Sequence, residues 1–386
     1  MKKIFFVTGS RADYGLLKKL ILLFQADHSF QTYTLATGSH LSLVHGSTIN
    51  VLKEDGIQNI IEVDLELKGD RPNDICHAIS IGTKKFSKIY EEHKPNLLVV
   101  LGDRYELWAA TMPAVIYNIP ITHIHGGEST EGAIDEAIRH SITKMAHLHF
   151  CSHPLYRERI ISMGENPANV HMVGAVGLDR IKEMNFLTQE ELEKNLSIKF
   201  NTKNILCTYH PETLNEEKSI SQLEHLIAAF QEIIKDGSTS IFITLPNADT
   251  FSNDVREKWK IFIQKNSSLV HGFENLGDLR YLSFMKHVDL IVGNSSSGIL
   301  EAPFFNKRVI DIGARQKGRL KSPHIINSSG ETAILISQLE KQLADRKIAI
   351  KANSIYGNGN SSQQMFANIK TWLSQSVQHK SFFSSK

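Results

Sequence analysis

The sequence predicts an α/β protein with two parallel-sheet domains that follow one another along the chain. Short apolar runs alternate with longer segments of helical periodicity, and this alternation is typical of parallel strands joined by crossover helices. Several runs end in glycine followed by a polar or charged residue, which is the pattern expected where a parallel strand meets a ligand site. With 386 residues, the chain also suits two cores better than one.

Composition and charge exclude several classes of protein. The chain is 41% hydrophobic and 22% charged, which is a globular composition. Its net charge of +2 argues against a dedicated binder of nucleic acid or of a membrane surface. No apolar run approaches the ~20 residues that span a bilayer, and the chain begins with a strand pattern instead of a signal peptide. Together with three scattered cysteines that lack metal-ligand spacing, these features lead us to expect a cytoplasmic protein.

The first domain opens with a strand over 4–8, a loop over 9–15 and a helix over 16–24. The loop has neither the G-x-G-x-x-G fingerprint nor the spacing of a phosphate-binding P-loop, so we expect no bound dinucleotide and no cofactor. Arg11 and Asp13 nevertheless stand where open parallel sheets hold their ligands, above the carboxyl end of the first strand.

The rest of the first domain continues the alternation. The predicted strands are 32–37, 60–63, 97–101, one inside 120–128, 148–152 and 170–173. The predicted helices are 49–55, one that carries Ile75, Ile79, Phe86 and Ile89 on a single stripe, one through Trp108, 134–145 with Ile134, Ile138, Ile142 and Met145 facing inward, and one after Pro154.

Acidic and basic residues follow the most apolar strand of this domain. Asp103 and Arg104 come after the strand 97–101, and a charged pair at the end of a central strand indicates a site. The alternative is a structural pair that caps the next helix. Asp135 and Arg139 share one face of a later helix at i, i+4, so a surface ion pair is the alternative to a role in the site.

Two histidine pairs raise the question of a metal. Period two places His123 and His125 on one face of the predicted strand, and His147 and His149 repeat the spacing. An H-x-H pair on a strand can bind zinc, but no third ligand stands at a recognisable offset. We therefore expect no metal.

A break at 174–177 and a polar stretch over 188–202, which we interpret as a linker, precede a second alternation. We place the first domain at 1–176 and the second at 177–360, with a last helix inside 361–386 that packs back on the first domain. The predicted strands of the second domain are 205–209, 240–245, 269–272, 289–292 and 308–312, and its predicted helices are 220–234, one ending at 264, and 279–284.

The turn after the strand 289–292 is the strongest ligand signal in the second domain. Ser295 and Ser296 open a helix there, and the free N–H groups and dipole of a helix start attract an anion. Glu301, one turn into the helix, is placed to accept hydrogen bonds from a ribose diol. The alternative is that the serines only cap the helix.

A loop with three cations follows the next strand. The glycine-bounded segment 313–319 contains Arg315, Lys317 and Arg319, at the same edge of the predicted sheet as the serines. A phosphate site with its counter-charges explains both features. Since both domains carry charged residues at their strand ends, we expect the ligand cleft between them.

Taken together, these residues resemble a known family. The motifs are Gly9-Ser-Arg-Ala-Asp-Tyr14, Leu101-Gly-Asp-Arg104, His123-Ile-His-Gly-Gly-Glu128, the segment 134–144, His210-Pro-Glu-Thr213, Pro246-Asn-Ala-Asp249, 293–298 and 313–319. They are similar, in order from residue 1 to about 375, to the hydrolysing UDP-N-acetylglucosamine 2-epimerases of sialic acid biosynthesis, of the bacterial capsule type. The resemblance implies a GT-B-like fold of two Rossmann-like domains, with UDP held mainly by the C-terminal one.

The resemblance also implies a reaction. UDP is eliminated across C1 and C2 to leave a 2-acetamidoglucal, and water then adds with inversion at C2, so that UDP and N-acetylmannosamine are released as the first step of sialic acid (capsule) formation. We expect a UDP sugar and UDP as the only ligands and a homo-oligomer, either a dimer or a tetramer, that binds neither nucleic acid nor membrane.

Site residues carried over by position fall into two groups. The candidates for catalysis are Asp103, His125, Glu128, Asp135 and His210. The candidates for substrate binding are Arg11, Arg104, Arg139, Asn247, Leu276, Ser295, Ser296, Glu301, Arg315 and Arg319. Many relatives carry Glu where His125 stands and Lys where Leu16 stands, and one extra residue separates Glu128 from Asp135. The identity of the base therefore stays open among Asp103, His125, Glu128 and Asp135.

Three other functions share parts of this pattern. The same reaction on UDP-2,4-diacetamido-2,4,6-trideoxyglucose would use the same nucleotide motifs. A GT-B glycosyltransferase would need an acceptor for UDP release. A regulatory module that binds a UDP sugar would show binding without turnover, and acids and histidines at strand ends argue against it.

Overall fold

The computed structural model of the protein describes residues 1–41, 48–69, 71–129, 134–210, 216–245, 252–274, 276–347, 354–375 and 380–384. The chain forms two compact units. The first consists of Met1–Lys182 together with Tyr356–Lys386, and the second of Glu183–Ile355. No helix among the described residues is both long and apolar enough to cross a bilayer.

Strands and helices alternate through both units. The strands are β1 (Lys2–Thr8), β2 (Phe30–Thr37), β3 (Ile60–Val63), β4 (Leu97–Leu101), β5 (Ile121–Ile124), β6 (Leu148–Cys151), β7 (Val170–Met172), β8 (Lys203–Thr208), β9 (Thr239–Thr244), β10 (Val270–Phe273), β11 (Leu290–Gly293), β12 (Arg308–Ile312) and β13 (Ile325–Ser328). The α-helices are α1 (Arg11–Ala26), α2 (Ile49–Glu54), α3 (Pro72–His93), α4 (Tyr105–Ile116), α5 (Asp135–Met145), α6 (Pro154–Ser162), α7 (Gly177–Glu183), α8 (Gln189–Leu196), α9 (Glu216–Ile233), α10 (Ser252–Lys265), α11 (Gly277–His287), α12 (Ser296–Leu300), α13 (Thr332–Ala344) and α14 (Ser361–Ser374).

The first unit is built on a parallel sheet with the strand order β3-β2-β1-β4-β5-β6-β7. The chain moves outward from β1 to β3, and then returns to place β4 on the other side of β1. The strand order therefore reverses between β1 and β4. Open parallel sheets bind their ligands beyond the carboxyl ends of the strands at such a reversal.

Two helix layers cover this sheet, because the side chains of a strand alternate between its faces. On one face, Phe6 packs with Leu17 of α1 and Met365 of α14 in a single buried cluster. On the other face, Phe5 belongs to a cluster that includes Phe86 of α3. The sheet is thus apolar on both sides, which explains why its strands appear in the sequence as nearly continuous hydrophobic runs.

The second unit repeats the plan with a parallel sheet of order β10-β9-β8-β11-β12-β13. Its reversal lies between β8 and β11. The core on one face joins Ile205, Phe230, Trp259 and Leu339, which come from β8, α9, α10 and α13. Two α/β units with parallel sheets were predicted from the sequence, and this prediction is confirmed.

Several element predictions are confirmed residue for residue, among them the strands 60–63, 97–101 and 308–312. The start of α1 is different. The helix begins at Arg11 because Ser10 caps it, with the Ser10 Oγ accepting from the backbone N–H of Asp13 at 3.2 Å. Arg11 and Asp13 therefore belong to the first turn of a helix and not to a loop.

The predicted linker over 188–202 is wrong, since α8 occupies much of it and starts with a capping box at Thr188. The segment 177–182, assigned from the sequence to the second domain, lies in the first unit. The reason is Asp179, whose carboxylate accepts from the backbone N–H groups of Ser361 and Ser362 at 2.8 and 2.5 Å. This contact joins α7 to the start of α14.

One inward-facing residue was also assigned wrongly. Ile138 and Ile142 of α5 are buried, whereas Ile134 is 75% exposed because it precedes the first turn of the helix. The strand β13 and the helix α13 were not predicted.

Candidate active site

The strand ends of the first sheet bring the candidate acids and bases of that unit together. β4 and β5 are adjacent, with Leu101 paired to Ile124, and Gly102 N–H donates to the Ile124 carbonyl at 3.0 Å. Asp103 and His125 therefore leave the sheet at the same edge, at the ends of neighbouring strands.

Asp103 forms an ion pair with Arg139 of α5, in which Nη2 of the guanidinium donates to Oδ2 of the carboxylate. Arg139 is only 7% exposed, so the surface-pair interpretation of this residue is wrong. A buried cation is stable only when it is paired. Asp135 stands nearby, and burial together with the charge of Asp103 raises the pKa of Asp135, although Arg139 opposes this effect.

Arg104 does not pair with its neighbour Asp103. Its Nη2 and Nε donate to the two carboxylate oxygens of Glu106 at 2.7 and 3.2 Å. Its Nε also lies 3.9 Å from the Asp13 carboxylate. The interpretation of Asp103 and Arg104 as a capping pair is therefore wrong, and no side chain caps the start of α4.

His125 is held by Glu128, with Nδ1 of the ring 3.1 Å from Oε1 of the carboxylate. Ser152 Oγ donates to the same oxygen at 3.0 Å. Burial alone would raise the pKa of Glu128, but His125, Arg139 and Ser152 outweigh it and lower that pKa to about 2. Because an ionised carboxylate only accepts, Nδ1 of His125 is the donor in this contact.

The backbone of His125 is unusual as well. Its φ is +64°, a left-handed conformation that few non-glycine residues adopt. The Nε2 atom is buried and has no hydrogen-bond partner among the described residues. An oriented histidine with one unused, buried nitrogen is an arrangement suited to proton transfer.

His123 and His125 do not share a face of a strand, because β5 ends at Ile124. His123 is fully buried, and its ring nitrogens lie 2.8 Å from the Gly102 carbonyl and 3.1 Å from Thr143 Oγ1. Burial lowers the pKa of His123 to about 3, so this imidazole is neutral. Its contacts fix the end of β4 against α5.

The second pair of histidines is committed elsewhere. His149 Nε2 lies 3.1 Å from the buried Glu165 carboxylate, and His147 Nδ1 accepts from the backbone N–H of Ile121 at 3.3 Å. Among the residues that the structure describes, no group of three or more His, Cys, Asp or Glu side chains is arranged to hold a metal ion.

In the second unit, the turn after β11 is built around Asn294, which is fully buried. Its side-chain Oδ1 accepts from the His210 backbone N–H at 2.8 Å, and its Nδ2 donates to the His210 carbonyl at 2.8 Å. Gly293 has φ +138°, and a side chain there would collide with the Thr208 carbonyl. The ends of β8 and β11 are thus locked together at backbone level.

The serines that follow are part of a neutral hydrogen-bond network. Ser295 caps α12, and the Ser297 hydroxyl donates to Ser295 Oγ at 3.1 Å. The hydroxyl of Tyr281 lies 2.5 Å from Ser297 Oγ and 3.4 Å from Thr208 Oγ1. Burial raises the pKa of Tyr281 to about 12, so its hydroxyl stays neutral.

α12 has five residues, so its dipole is much smaller than the one expected from the sequence. Glu301 is the residue that ends this helix and is not one turn inside it. Any attraction of an anion here must come from free N–H groups, hydroxyls and nearby cations.

Two side chains of the loop after β12 converge on the same turn. Arg315 Nη1 and Gln316 Nε2 both donate to the Asn294 carbonyl, at 3.0 and 2.9 Å. Arg315 is exposed while Gln316 is buried, and Arg319 is half-buried further along the loop. The prediction that the arginine loop and the serine turn share one edge of the sheet is confirmed for Arg315.

A comparison with known proteins decides the family. The sequence profile of the UDP-N-acetylglucosamine 2-epimerases matches residues 23–370. The chain belongs to this family. It is 38% identical over 327 residues to the Campylobacter jejuni GDP/UDP-N,N'-diacetylbacillosamine 2-epimerase (hydrolyzing), covering 85% of this chain and 84% of the relative. It is 33% identical to the Polysialic acid biosynthesis protein P7 of Escherichia coli, covering 92% and 89%.

Solved structures show the same fold. The UDP-GlcNAc 2-epimerase of Neisseria meningitidis bound to UDP-GlcNAc superposes with a TM-score of 0.76 at 20% identity, covering 96% of this chain and all of the other. A putative UDP-N-acetylglucosamine 2-epimerase of Listeria monocytogenes gives 0.78 at 19% identity over the full length of both chains. At this level of identity the likeness shows the fold alone, which is GT-B-like with two Rossmann-like domains, as predicted.

Arg11, Leu276 and Asn247 were also predicted from the sequence to bind substrate. Arg11 is exposed at the first residue of α1, and Leu276 is buried immediately before α11. Asn247 and the segment 211–213 lie outside the described residues.

The sequence reasoning also missed residues that build the site. They are Glu106, Ser152, Tyr281, Asn294, Ser297 and Gln316. A signal was present for Glu106, which is one acid in the otherwise apolar first turns of α4. No comparable signal marks Ser152 or Gln316, because their partners are remote in sequence.

Proposed function

We propose that this protein is a hydrolysing 2-epimerase of a UDP-2-acetamido sugar, which releases UDP and the free sugar with its C2 configuration inverted. The observation that carries the proposal is the oriented histidine after β5, whose Nδ1 is held by Glu128 while Nε2 has no partner among the described residues. Inverting a carbon centre by taking and returning a proton needs such a base. A module that only binds a nucleotide sugar does not.

The first stage of the reaction is an elimination. The base removes the proton at C2, the electron pair of the C2–H bond forms the C1–C2 double bond, and the bond from C1 to the diphosphate oxygen breaks as UDP leaves. His125 Nε2 is our candidate for this base, because Glu128 orients the ring and Nε2 has no hydrogen-bond partner among the described residues. Asp103 and Arg139 are proposed to contact the sugar beside it.

The second stage adds water across the double bond. The hydroxyl group is added at C1, and a proton is added to C2 on the face opposite to the one that lost the first proton. This step needs a proton donor distinct from the first base. Asp135 is our candidate for the task, because burial and the neighbouring Asp103 raise the pKa of its carboxyl above the ordinary value.

The nucleotide is assigned to the second unit. A departing diphosphate gains negative charge, and donors fixed in advance stabilise that charge best. Arg315, Ser295 and Ser296 surround a turn that Asn294 and Gly293 hold rigid, and His210 is tied to the same turn through its backbone. We propose that these residues bind the phosphates, with Glu301 contacting the ribose.

Two sugars are candidates for the substrate. The motif resemblance predicts UDP-N-acetylglucosamine, with N-acetylmannosamine as the product. The Campylobacter relative and a Legionella pneumophila relative, 31% identical over 96% of this chain, are both named for N,N'-diacetylbacillosamine. The UDP-N-acetylglucosamine 2-epimerase of Neisseria meningitidis is 26% identical. The names of the Campylobacter and Legionella relatives support a 2,4-diacetamido sugar as the second candidate.

The deciding experiment measures UDP release from both nucleotide sugars by the purified protein without any acceptor. We expect turnover of at least one of them, with NMR showing a free sugar that is inverted at C2 and carries one deuterium there when the solvent is D2O. The ratio of the two kcat/KM values identifies the substrate. UDP release only after an acceptor is added would instead indicate a glycosyltransferase, and binding without turnover a regulatory module.

Pathway and cellular context follow from the substrate. Turnover of UDP-N-acetylglucosamine would fit sialic acid or capsule formation, in line with the polysialic acid name of the Escherichia coli relative. We further propose a cytoplasmic homo-oligomer that works without a metal. Sedimentation would measure the assembly, and activity that survives exhaustive chelation would support metal independence.

A further inference from the structure

Glu106 of α4 is a buried carboxylate that the proposed reaction does not use directly. None of its surface is exposed, and its helix neighbours Leu107, Ala109 and Ala110 are apolar core residues. A carboxylate in such a place costs stability unless a cation and further donors satisfy it. A leucine or glutamine would suit the core better if nothing but packing were at stake.

The partner of this carboxylate is Arg104. Nη2 of the guanidinium donates to Oε1 at 2.7 Å and Nε donates to Oε2 at 3.2 Å, so the two groups meet as a two-pronged pair. Such pairs fix the plane of the guanidinium as well as its position. Burial works against the charged form of Arg104, but the hydrogen bonds and charge of Glu106 raise its pKa above the ordinary value.

The fold makes room for this pair at the carboxyl ends of β1 and β2. Gly38 has φ +58°, and a Cβ there would lie 2.6 Å from Glu106 Oε1. A Cβ on Gly9 would lie 3.5 Å from Arg104 Nε. The glutamate therefore fills the space that Gly38 leaves, next to the reversal of strand order between β1 and β4.

The other edge of the guanidinium remains available. The side chain of Arg104 is 41% exposed, although Glu106, its main partner, is fully buried. Guanidinium has five N–H donors, and Glu106 occupies two of them. The remaining donors stand at the edge of the sheet that also carries Asp103 and Asp13.

We infer that Glu106 is a positioning residue that holds the Arg104 guanidinium at the strand reversal, with its free edge directed at an anionic oxygen of the substrate. The inference rests on the proposed function, since that anion is a phosphate oxygen of the UDP sugar. Glu106 acts only through Arg104 and does not contact the substrate.

The test uses chemical rescue. Arg104→Ala should lower kcat/KM roughly 10-fold to 100-fold, which is the worth of a lost charge-assisted contact. Guanidinium chloride at low millimolar concentration should restore part of this loss, because Glu106 still offers its carboxylate to the added cation. Sodium chloride at the same concentration is the control for ionic strength. In Arg104→Ala combined with Glu106→Gln the rescue should disappear.

A matched control separates positioning from mere stability. Glu165→Gln also neutralises a buried glutamate of the first unit, one that pairs with Lys144 at 2.6 Å and His149 at 3.1 Å. We expect this variant to lose stability while the rescue of Arg104→Ala stays intact. If Glu106→Gln does not fold, Arg104→Lys takes its place, since lysine keeps the charge but cannot form the two-pronged pair. Arg104→Lys should lower kcat/KM by a factor similar to that of Arg104→Ala.

An arm that is independent of turnover keeps this inference distinct from the proposed function. In the folded parent, the Arg104 Nε–H should give a slowly exchanging ¹⁵N NMR signal, and this protection should be lost in Glu106→Gln. If no UDP sugar is turned over, the proposed function fails and the NMR result still decides the pairing. Rescue that persists without the Glu106 carboxylate, or a protected Nε–H in Glu106→Gln, would overturn the inference.

Discussion

The strand ends of the two units carry different kinds of polar group. In the first unit, ionisable side chains bind one another in buried pairs, as Asp103 does with Arg139 and His125 with Glu128. In the second unit, the same edge of the sheet is built from an amide and hydroxyls, centred on Asn294 and Ser295. Similar sheets thus present an acid–base site in one case and, in the other, a set of amide and hydroxyl donors with Arg315 beside them.

The difference suits two tasks with different demands. Proton transfer needs groups whose protonation can change, and neighbouring charges set their pKa values. Holding a diphosphate needs rigid donors whose protonation does not change near neutral pH, such as hydroxyls, amides and a guanidinium. The comparison predicts that substitutions of the acids and bases in the first unit change mainly turnover and that substitutions in the second unit change mainly nucleotide affinity.

The largest expected effect is on turnover, in the first unit. Asp103→Asn, His125→Ala and Asp135→Asn should each lower kcat by ~10²–10⁴, since groups that act as bonds break contribute mainly to the transition state. Calorimetry should show UDP affinity nearly unchanged. His125→Glu should keep more activity than His125→Ala, because it restores an ionisable side chain at that position. His28→Ala, at an exposed site on the same unit, is the control.

A smaller effect is expected at Glu128, which orients the base without donating a proton. Glu128→Gln should lower kcat by roughly 10-fold to 100-fold, the range expected when a charge-assisted contact is lost. It should also change the pH profile, because the ring of His125 would no longer be held as the Nδ1–H tautomer by a carboxylate. The profile of kcat against pH measures this. An unaltered profile with reduced kcat would contradict the proposal that Glu128 acts by orienting the base.

In the second unit, the effect should fall on binding. Ser295→Ala with Ser296→Ala, or Arg315→Ala, should weaken UDP affinity by about 1–3 kcal/mol for each charge-assisted contact that is lost. Turnover at saturating substrate should fall less than it does in the first-unit variants. Lys260→Ala on α10 removes one exposed positive charge from the same unit and serves as the control for net charge. Unchanged UDP affinity in a folded Arg315→Ala variant would contradict the assignment of the nucleotide.

The last effect concerns stability in acid and not activity. Burial lowers the pKa of His40 to about 4 and that of His123 to about 3, both below the ordinary value of about 6.5. The unfolded chain therefore binds these protons first, and stability is lost as the pH falls from about 6.5 toward these values. The cost is up to about 1.4 kcal/mol per pH unit for each histidine.

Since both histidines belong to the first unit, that unit should unfold at lower urea concentration at pH 5 than at pH 7, and the second unit should change less. Hydrogen exchange read on peptides from each unit measures the two separately. His123→Gln should reduce the difference between pH 5 and pH 7 in the urea concentration that unfolds the first unit. An equal loss of stability in both units between pH 7 and pH 5 would contradict this prediction.

Much of the fold could be predicted because parallel strands are buried on both faces. The strand 97–101 is a run of five buried apolar residues, and no other local structure competes with it. β13 was missed because only Ile325 and Ile326 of its four residues are apolar. α8 was taken for a linker because seven of its eight residues are not buried, so composition hides a helix that its capping box stabilises.

The site could be predicted only where position along the chain implies position in space. Asp103 and His125 follow neighbouring strands, and the edge of a parallel sheet brings such residues together. The partner of each group could not be predicted in the same way. Arg139 was expected to face Asp135 and instead pairs with Asp103, while Asn294 binds the backbone of a residue 84 positions earlier. Long-range contacts of this kind leave no local pattern.

The placement of α14 has a consequence for how the protein is made. Met365, Ile369 and Leu373 are part of the buried core of the first unit, although they come last in the chain. A ribosome therefore completes the second unit while the first still lacks one of its covering helices. The unit that begins the chain is the last one able to finish folding, so truncation before residue 361 should expose that core to aggregation and leave the second unit intact.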